Sequence, residues 1–491
     1  MGIVRKQSIQ SSIFIYIGFA VGAFNLWLLP HILTTEQFGL LRVLINVCSL
    51  LAAVCALGMQ PVITRFYPYF DNGKNHKNDL LSWAFLVALV GFLLAVAGTL
   101  LFKDLIIRKF EGNAGLFLDY FYLIYPFTLF MLFYGLLERV AWSRQFTVLA
   151  SFLRESGVRL FTSIIVVVLA LQWINFSGFI TLYALQYMVV FLILAYFLFV
   201  RKKSGFVFKV SRTTRHLYKQ MRTYALYVFG GGIFIMIEQH FNTILLGSHE
   251  SLTTAGVFDI AFFMATLILV PKRSMQSAAS ATIAKAWKER DTGRIERLYK
   301  KSAATLLIAG LVIFGLIWLN LDDIFRLYKP EYRAGKYVVL LVGLANLTDL
   351  GTGLNQDILI NSKIWRLNFV LNVSLIILFL VVTYLMVLHF GMMGSAYSFI
   401  ISISLYNLMR FLLIWWKFNM QPFSVKTIFV LLAALVAYFV AADLLPQTTS
   451  VFLNMALRSL IFLAIFGGIV IWGKLSDDVT ELLAIVKSRL H

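Results

Sequence analysis

Charged residues are scarce in this chain of 491 residues, where Asp, Glu, Lys and Arg together make up 13%. Soluble globular proteins carry about 25% charged residues, because their surfaces face water. Here 60% of the residues are hydrophobic, and phenylalanine alone occurs 45 times. This composition excludes a soluble enzyme, a disordered regulator and a collagen-like chain. It indicates a protein that crosses a membrane several times.

Cysteine is nearly absent, and so are the motifs of common catalytic sites. Cys48 and Cys55 are the only cysteines and lie in one apolar stretch, where we expect them to act as small packing residues. The sequence contains no P-loop, no nucleophile motif and no metal-ligand spacing. We therefore expect no catalytic residues, no metal, no cofactor and no pumping driven by ATP.

Charge-poor stretches long enough to cross a hydrocarbon core of ~30 Å recur along the whole chain. They predict an all-α integral membrane protein. The fifth stretch is the weakest, because Arg154, Glu155 and Arg159 interrupt it. The fourteen predicted spans are 11–33, 38–60, 80–102, 116–137, 147–171, 175–200, 223–248, 252–271, 302–321, 335–356, 367–388, 391–415, 427–444 and 451–473.

The basic residues between these spans predict the orientation of the chain. Of the 43 Lys and Arg residues, 31 fall on the side that carries both termini and 7 on the other side. Lys and Arg concentrate in cytoplasmic loops. Both termini are therefore predicted to be cytoplasmic, with the first span retained as a helix. The formal net charge of +20 is then explained by anionic membrane lipids, and we expect no nucleic acid partner.

The halves of the chain carry a weak internal repeat. Leu33-Thr34-Thr35 precedes Gly39, and Leu252-Thr253-Thr254 precedes Gly256. Parallel repeats of this kind pair two bundles around an axis along the membrane normal. We predict two six-helix lobes around a central cavity, joined by a basic linker that lies on the lipid surface. The predicted parts are an N-lobe at 1–200, the linker at 201–222, a C-lobe at 223–415, and a final helix pair with a cytoplasmic tail at 416–491.

Charged residues inside the predicted spans mark the candidate site. A charged group at the centre of a membrane helix costs roughly 2.5–3.5 kcal/mol on insertion scales, so each one needs a reason. The predicted substrate cavity residues are Arg42, Arg154, Arg159 and Arg410, and the candidates for ion coupling or gating are Glu238, His240, Asp259 and Asp349. The candidates are mainly cationic in the first half of the chain and acidic in the second. This arrangement suits an anionic substrate that is transported with a coupling cation, H+ or Na+.

Several of these residues also have a structural interpretation. Glu155 and Arg159 are four residues apart and could neutralise each other on one helix face. His240 is more often a packed histidine than a proton relay. Arg42 and Asp259 lie three residues after the equivalent glycines, so they either meet as a gate or face separate lobes.

The opening segment from Ile15 to Leu44, IYIGFAVGAFNLWLLPHILTTEQFGLLRVL, resembles that of bacterial polysaccharide repeat-unit flippases. The run 358–363 is similar to the end of their tenth span, and Asn372 followed by 391–396 resembles their passage into the twelfth. Ser395 stands where that family commonly has a second alanine. These are the oligosaccharidyl-lipid exporters of the multidrug/oligosaccharidyl-lipid/polysaccharide superfamily.

The resemblance implies fourteen helices and alternating access. It further implies a cargo of polyprenyl-pyrophosphate-linked oligosaccharide, moved from the cytoplasmic to the periplasmic leaflet of the bacterial inner membrane for surface polysaccharide synthesis. We expect a monomer whose partners are this substrate and membrane lipids. The alternatives are a multidrug or lipid II exporter of the same superfamily and a membrane-embedded polysaccharide polymerase or acyltransferase. Short predicted outer loops argue against the polymerase or acyltransferase.

Reporter fusions test the predicted orientation. A reporter that is active only in the periplasm should be silent when fused to the C-terminus and active when fused within 103–115, because the basic residues keep the termini in the cytoplasm. The opposite pattern would contradict the predicted number of spans.

Overall fold

The structure is a computed structural model that describes residues 18, 21–70, 77–110, 115–144, 146–202, 205–443 and 450–475. These residues are helical almost throughout. Apart from helices and turns, their regular structure is one short parallel pairing in which β1 (Lys77–Asn78) lies beside β2 (Gly205–Phe206). The predicted all-α class is confirmed.

Twenty-one α-helices make up the described part of the chain. The first twelve are α1 Val21–Ile32, α2 Thr35–Cys55, α3 Met59–Phe70, α4 Asp79–Leu101, α5 Lys103–Phe110, α6 Gly115–Asp119, α7 Ile124–Ser143, α8 Thr147–Ser151, α9 Val158–Ala170, α10 Phe176–Ala184, α11 Gln186–Ala195 and α12 Arg212–His249. The others are α13 Leu252–Thr266, α14 Val270–Glu289, α15 Thr292–Leu319, α16 Leu321–Arg326, α17 Lys336–Gly351, α18 Asn355–Asn361, α19 Trp365–Phe418, α20 Val425–Asp443 and α21 Val451–Trp472.

Nine helices in the described residues are long and apolar enough to cross a membrane, or ten if the bent pair Pro330–Gly351 and Asn355–Asn361 counts as one span. One of the nine covers Arg366–Phe418 and contains a break at Gly391, whose φ is 56°. Two of the predicted spans, 367–388 and 391–415, lie on either side of this break. Glycine adopts a positive φ at little cost, which explains its position there. The count of fourteen stays a prediction.

Two segments expected to be cytoplasmic loops are largely helical. Half of 201–222 forms the first turns of α12, which begins at Arg212, and most of 272–301 belongs to α14 and α15. The hydroxyl of Ser211 accepts a hydrogen bond from the amide of Thr214, and Asp291 caps α15 in the same way. A hydropathy window detects only the apolar part of a helix, so the sequence alone predicts loops for these polar extensions.

The chain folds into two compact units, 1–256 and 257–491. In the first unit α7 packs against α2, α3, α4 and α11, and α12 packs against α2 and α3. The apolar core of this unit surrounds the fully buried side chains of Leu132, Leu136 and Leu137 on α7. Helix α7 is therefore the central element on which the others are assembled.

In the second unit α15 packs against α14, α17, α20 and α21, while α17 packs against α19. The core around Leu306 and Ile268 extends to Phe462 on α21, whose ring lies against Gly315. The final two helices thus bury their apolar faces on α15. The lobe boundaries inferred from the sequence remain a prediction.

The two glycines that introduce the sequence repeat lie against each other within the first unit. A Cβ atom on Gly39 would overlap the carbonyl oxygen of Leu252, and a Cβ atom on Gly256 would lie 3.1 Å from the Cα atom of Gly39. Small residues at a membrane helix crossing let the backbones approach closely. The repeat therefore marks a crossing where no side chain fits.

We predict that Gly39→Ala lowers the melting temperature of the detergent-purified protein, because the new methyl group meets backbone rather than a movable side chain. Overpacking typically costs 1–3 kcal/mol. Gly98→Ala on α4 is the control, since nothing lies within 4 Å of its added Cβ. Equal melting temperatures for the two variants would contradict the tight crossing.

Candidate substrate cavity

A cavity of about 650 Å³ lies within the first unit. Its walls come from α2, α3, α7, α11 and α12, together with Arg154. Along α12 it extends from Tyr224 to His240, which is about 24 Å at 1.5 Å per residue. The polar and aromatic side chains that line it are Ser49, Gln60, Thr64, Arg65, Tyr134, Glu138, Arg139, Arg154, Tyr187, Tyr224, Phe229, Gln239 and His240.

The charge lining this cavity is positive. Three guanidinium groups, those of Arg65, Arg139 and Arg154, face one carboxylate, that of Glu138. These four groups alone give the lining an excess of positive charge. Such a site attracts an anion, and guanidinium groups match phosphate oxygens because their N–H donors form a planar fork.

Arg154 is held by carboxylates from two segments. Its Nη1 atom lies 3.2 Å from Oε2 of Glu138 on α7, and its Nε atom lies 3.6 Å from Glu155. The Glu138 side chain is 4% exposed, whereas that of Arg154 is 47% exposed. The segment Phe152–Gly157, which carries Arg154 and Glu155, is a π-helical turn. Such turns are frequent at functional sites, and this one presents Arg154 to the cavity.

Arg159 is connected to this pair through Glu155. Its guanidinium lies 3.4 Å from the Glu155 carboxylate, which is the ion pair of residues four apart suggested by the sequence. The same guanidinium also lies beside Gly22 on α1, where an added Cβ would be 2.9 Å from its Nε atom. Arg159 is not among the side chains that line the cavity. Its role in the site stays a prediction.

Arg139 also lines the cavity. Its guanidinium group stacks on the indole ring of Trp142 at 4.5 Å from the ring centroid. Its buried Nε atom has no hydrogen-bond partner among the described residues. The ring holds the guanidinium in place, so Arg139 contributes a fixed positive charge to the cavity wall.

His240 lines the cavity and is oriented by α2. Its Nδ1 atom is 2.5 Å from Oδ1 of Asn46, and the Asn46 amide donates to the backbone oxygen of Arg42 at 2.6 Å. The Arg42 side chain is not part of the cavity lining. The side chain of Glu238 lies outside the residues that the structure describes.

In the second unit, Asp349 forms an ion pair with Lys272 at 2.6 Å, and the side chains are 18% and 8% exposed. A neighbouring polar network joins Thr352, Asn355 and Asn407 at 2.9–3.0 Å. The polar stripe predicted around Asp349 therefore packs against protein. Its carboxylate is balanced by a lysine that the sequence alone places in a loop.

Two further predicted residues belong to the second unit. Arg410 is 2% exposed, lies 3.9 Å from the ring centroid of Tyr406 and contacts Asn372 at 3.4 Å. Asp259 on α13 is 8% exposed. Because Arg42 and Asp259 fall in different units, their pairing as a gate stays a prediction. The described residues contain no group of three or more His, Cys, Asp or Glu that could hold a metal ion.

Sequence reasoning missed Glu138, Arg139, Arg65 and Lys272. Glu138 and Lys272 each come one residue after the end of a predicted span, in helices that continue beyond it. Continuing the helical periodicity past each apolar window would have placed these side chains on the inner face. Their pairing across helices leaves no signal in a single sequence.

Comparisons with known proteins agree with this architecture. The solved structure of MurJ, a lipid II flippase in an inward closed conformation, has a TM-score of 0.68 at 12% identity and covers 94% of this chain and 98% of its own. An inward-facing multidrug resistance MATE family transporter of the MOP superfamily has a TM-score of 0.61 at 15% identity, covering 81% of this chain and 97% of its own. The search of curated protein sequences found no match. The fold is thus that of multi-pass membrane transporters.

Residues 4–279 match the family model described as polysaccharide biosynthesis protein. The chain belongs to this family. The family resemblance found in the opening segment is confirmed.

The ion pair of Arg154 and Glu138 allows a prediction about the melting temperatures of single and double variants. Glu138 is buried, so removing its partner leaves a buried carboxylate without compensation, whereas replacing both residues can be neutral. Because the Arg154 side chain is 47% exposed and solvent screens its charge, the loss should be smaller than the roughly 3–5 kcal/mol of a fully buried pair. We therefore expect Arg154→Met to lower the melting temperature and Arg154→Met with Glu138→Gln to recover most of the loss.

The control is the exposed pair of Lys300 and Glu296, 2.7 Å apart, where Lys300→Met should change the melting temperature little. If the double variant at the cavity melts no higher than Arg154→Met alone, Glu138 and Arg154 are not coupled.

Proposed function

We propose that this protein is a flippase that moves a polyprenyl-pyrophosphate-linked oligosaccharide from the cytoplasmic to the periplasmic leaflet by alternating access. The observation that carries the proposal is the cationic cavity of the first unit in a member of the polysaccharide biosynthesis protein family. Arg139 and Arg154 would attract the negative charge of the cargo, and Arg42, Arg159 and Arg410 remain further candidates for the same role.

The chemistry of the cavity suits both parts of such a cargo. A pyrophosphate diester carries negative charge, which guanidinium groups bind. Sugar hydroxyls can donate hydrogen bonds to side-chain amides and accept hydrogen bonds from them, and Gln60 and Gln239 supply such amides. Aromatic rings at Tyr187 and Phe229 offer apolar faces on which sugar rings can pack. A volume of about 650 Å³ is in the range of ordinary ligand pockets.

The proposed setting is the bacterial inner membrane, with both termini in the cytoplasm and the protein acting as a monomer. Outward movement of net negative charge gains ~2.3 kcal/mol per charge per 100 mV of membrane potential. A co-moving H+ or Na+ would alter this gain. Glu238, His240, Asp259 and Asp349 are the proposed coupling or gating residues.

The second candidate is export of lipid II, which the similarity in fold to the MurJ structure favours. A multidrug exporter for cationic compounds is disfavoured, because Arg65, Arg139 and Arg154 would repel them. A polymerase or acyltransferase is a less favoured alternative, since the lining offers charge for binding an anion rather than a nucleophile beside a base.

Deleting the gene distinguishes a flippase from a polymerase. Without a flippase, lipid-linked repeat units should accumulate on the cytoplasmic leaflet and surface polysaccharide should be lost. Without a polymerase, single repeat units should still reach the cell surface. Detection of single units at the surface of the deletion strain would contradict the proposal.

Within the cavity, we predict that Arg139→Gln lowers surface polysaccharide at least tenfold at normal protein abundance, because the lining loses one of its three guanidinium charges. Arg139→Lys keeps the charge and should retain part of the export. Lys300→Gln, which alters an exposed pair on α15, is the matched control and should export normally. Full export by Arg139→Gln would remove Arg139 from the site.

A further inference from the structure

A second pocket, of about 540 Å³, opens where α3 meets the first turns of α12. Its polar lining consists of Arg65 from α3 and Lys219, Gln220, Thr223, Tyr224 and Tyr227 from α12. The α12 residues follow the spacing of one helix face, so they form a continuous strip that faces α3. We call this site the α3–α12 pocket.

Every polar side chain in the α3–α12 pocket can donate a hydrogen bond, and two of them carry a positive charge. No acidic side chain is among those that line it. The cavity described above, by contrast, contains Glu138. A site with two cations, an amide, a hydroxyl and two phenols is chemically complementary to a pyrophosphate diester, which carries two negative charges.

Stacking fixes the guanidinium of Arg65 in place. It lies 4.4 Å from the ring centroid of Tyr224 and 5.6 Å from that of Phe66, and these two rings contact each other edge to face. A guanidinium held by its flat face keeps its N–H edge free to bind oxygen. It also loses less conformational freedom when a ligand binds.

The α3–α12 pocket is continuous with the cavity, because Arg65 and Tyr224 line both. On its outer side α12 continues into exposed basic residues, Arg212 and Arg215, while Leu217 and Met221 on the opposite face pack into the core. An anion attracted to the basic face of α12 would therefore meet Lys219 and Arg65 before the cavity.

The basic residues near the start of α15 differ from those at the start of α12, because they form ion pairs with acidic residues. Arg294 lies 3.8 Å from Glu289, and Lys300 lies 2.7 Å from Glu296. Acids are thus interleaved with bases there, whereas residues 201–222 contain eight basic residues and no acid. This difference singles out the α12 face as the one suited to an external anion.

We propose that the α3–α12 pocket is an entry subsite, where the pyrophosphate group of the lipid-linked substrate binds first, before it moves on to the guanidinium groups of the cavity. This proposal rests on the proposed function and adds a first binding step to it. Arg65 stands at the boundary between the pocket and the cavity and binds the pyrophosphate from the cavity side, while Lys219 binds it from the surface side.

Binding to the purified full-length protein tests the subsite without requiring transport. The probes are geranyl pyrophosphate, inorganic pyrophosphate and nanodiscs with or without phosphatidylglycerol, measured by calorimetry at two salt concentrations. We expect both pyrophosphates to bind and Lys219→Ala or Arg65→Ala to weaken binding at least tenfold. Lys219→Arg should keep most of the affinity, and higher salt should weaken it.

Arg215→Ala is the matched control, since it removes the same charge one turn away on α12 but does not line the pocket. If Arg215→Ala loses as much affinity for pyrophosphate as Lys219→Ala, or if phosphatidylglycerol competes with pyrophosphate equally well, the binding is a general attraction of anions to a basic surface. Either result would overturn the subsite. So would undetectable binding by the unaltered protein, or binding that Lys219→Ala leaves unchanged.

The outcome for the subsite is separable from that of the proposed function. If the gene deletion blocks surface display while Lys219→Ala binds pyrophosphate normally, the flippase proposal stands and the subsite is wrong. If pyrophosphate binding depends on Lys219 while the deletion strain displays normal polysaccharide, the subsite stands and the transported substrate is a different pyrophosphate.

Discussion

The cost of carrying a charge into a membrane protein governs the arrangement of this molecule. With so few charged residues in the chain, those within helical bundles are placed where another group balances them. Glu138 is almost completely buried on α7, and Arg154 reaches it from a π-helical turn. The pair joins the helix at the centre of the first unit to the segment with the weakest apolar character, and the walls of the cavity are organised around it.

Around Asp349, the second unit balances one charge with an opposite charge. Lys272 and Asp349 balance each other, and the amides and hydroxyls beside them are bonded to one another. In the first unit, Arg65 and Arg139 are balanced instead by aromatic rings, at 4.4 Å and 4.5 Å from the ring centroids. A ring stabilises a cation without neutralising it. This difference leaves the cavity of the first unit able to bind an external anion.

The helical class and most helix positions could be predicted from the sequence, because apolar length and turn residues are local properties. Arg154 and His240 could be identified from the sequence, because a charged or ionisable residue within a membrane span costs free energy and therefore indicates a functional site or a pairing partner. Glu138 and Lys272 were missed because a hydropathy window ends where the apolar residues end, although the helix continues. The contact of Gly39 with Gly256 followed a repeat visible in the sequence, but only coordinates reveal that the equivalent residues touch.

Anion binding in such a cavity would couple to the ion pair that forms its wall. Arg154 is shared between Glu138 and Glu155, at 3.2 Å and 3.6 Å, so a phosphate oxygen that approached it would compete with two carboxylates already in place. Each contact that the anion forms with Arg154 therefore weakens the ion pair that attaches the π-helical turn to α7. Because linkage is reciprocal, a conformation in which that attachment is loosened would bind the anion more tightly. The interaction that stabilises the first unit is thus also the one through which an anionic cargo could change its shape.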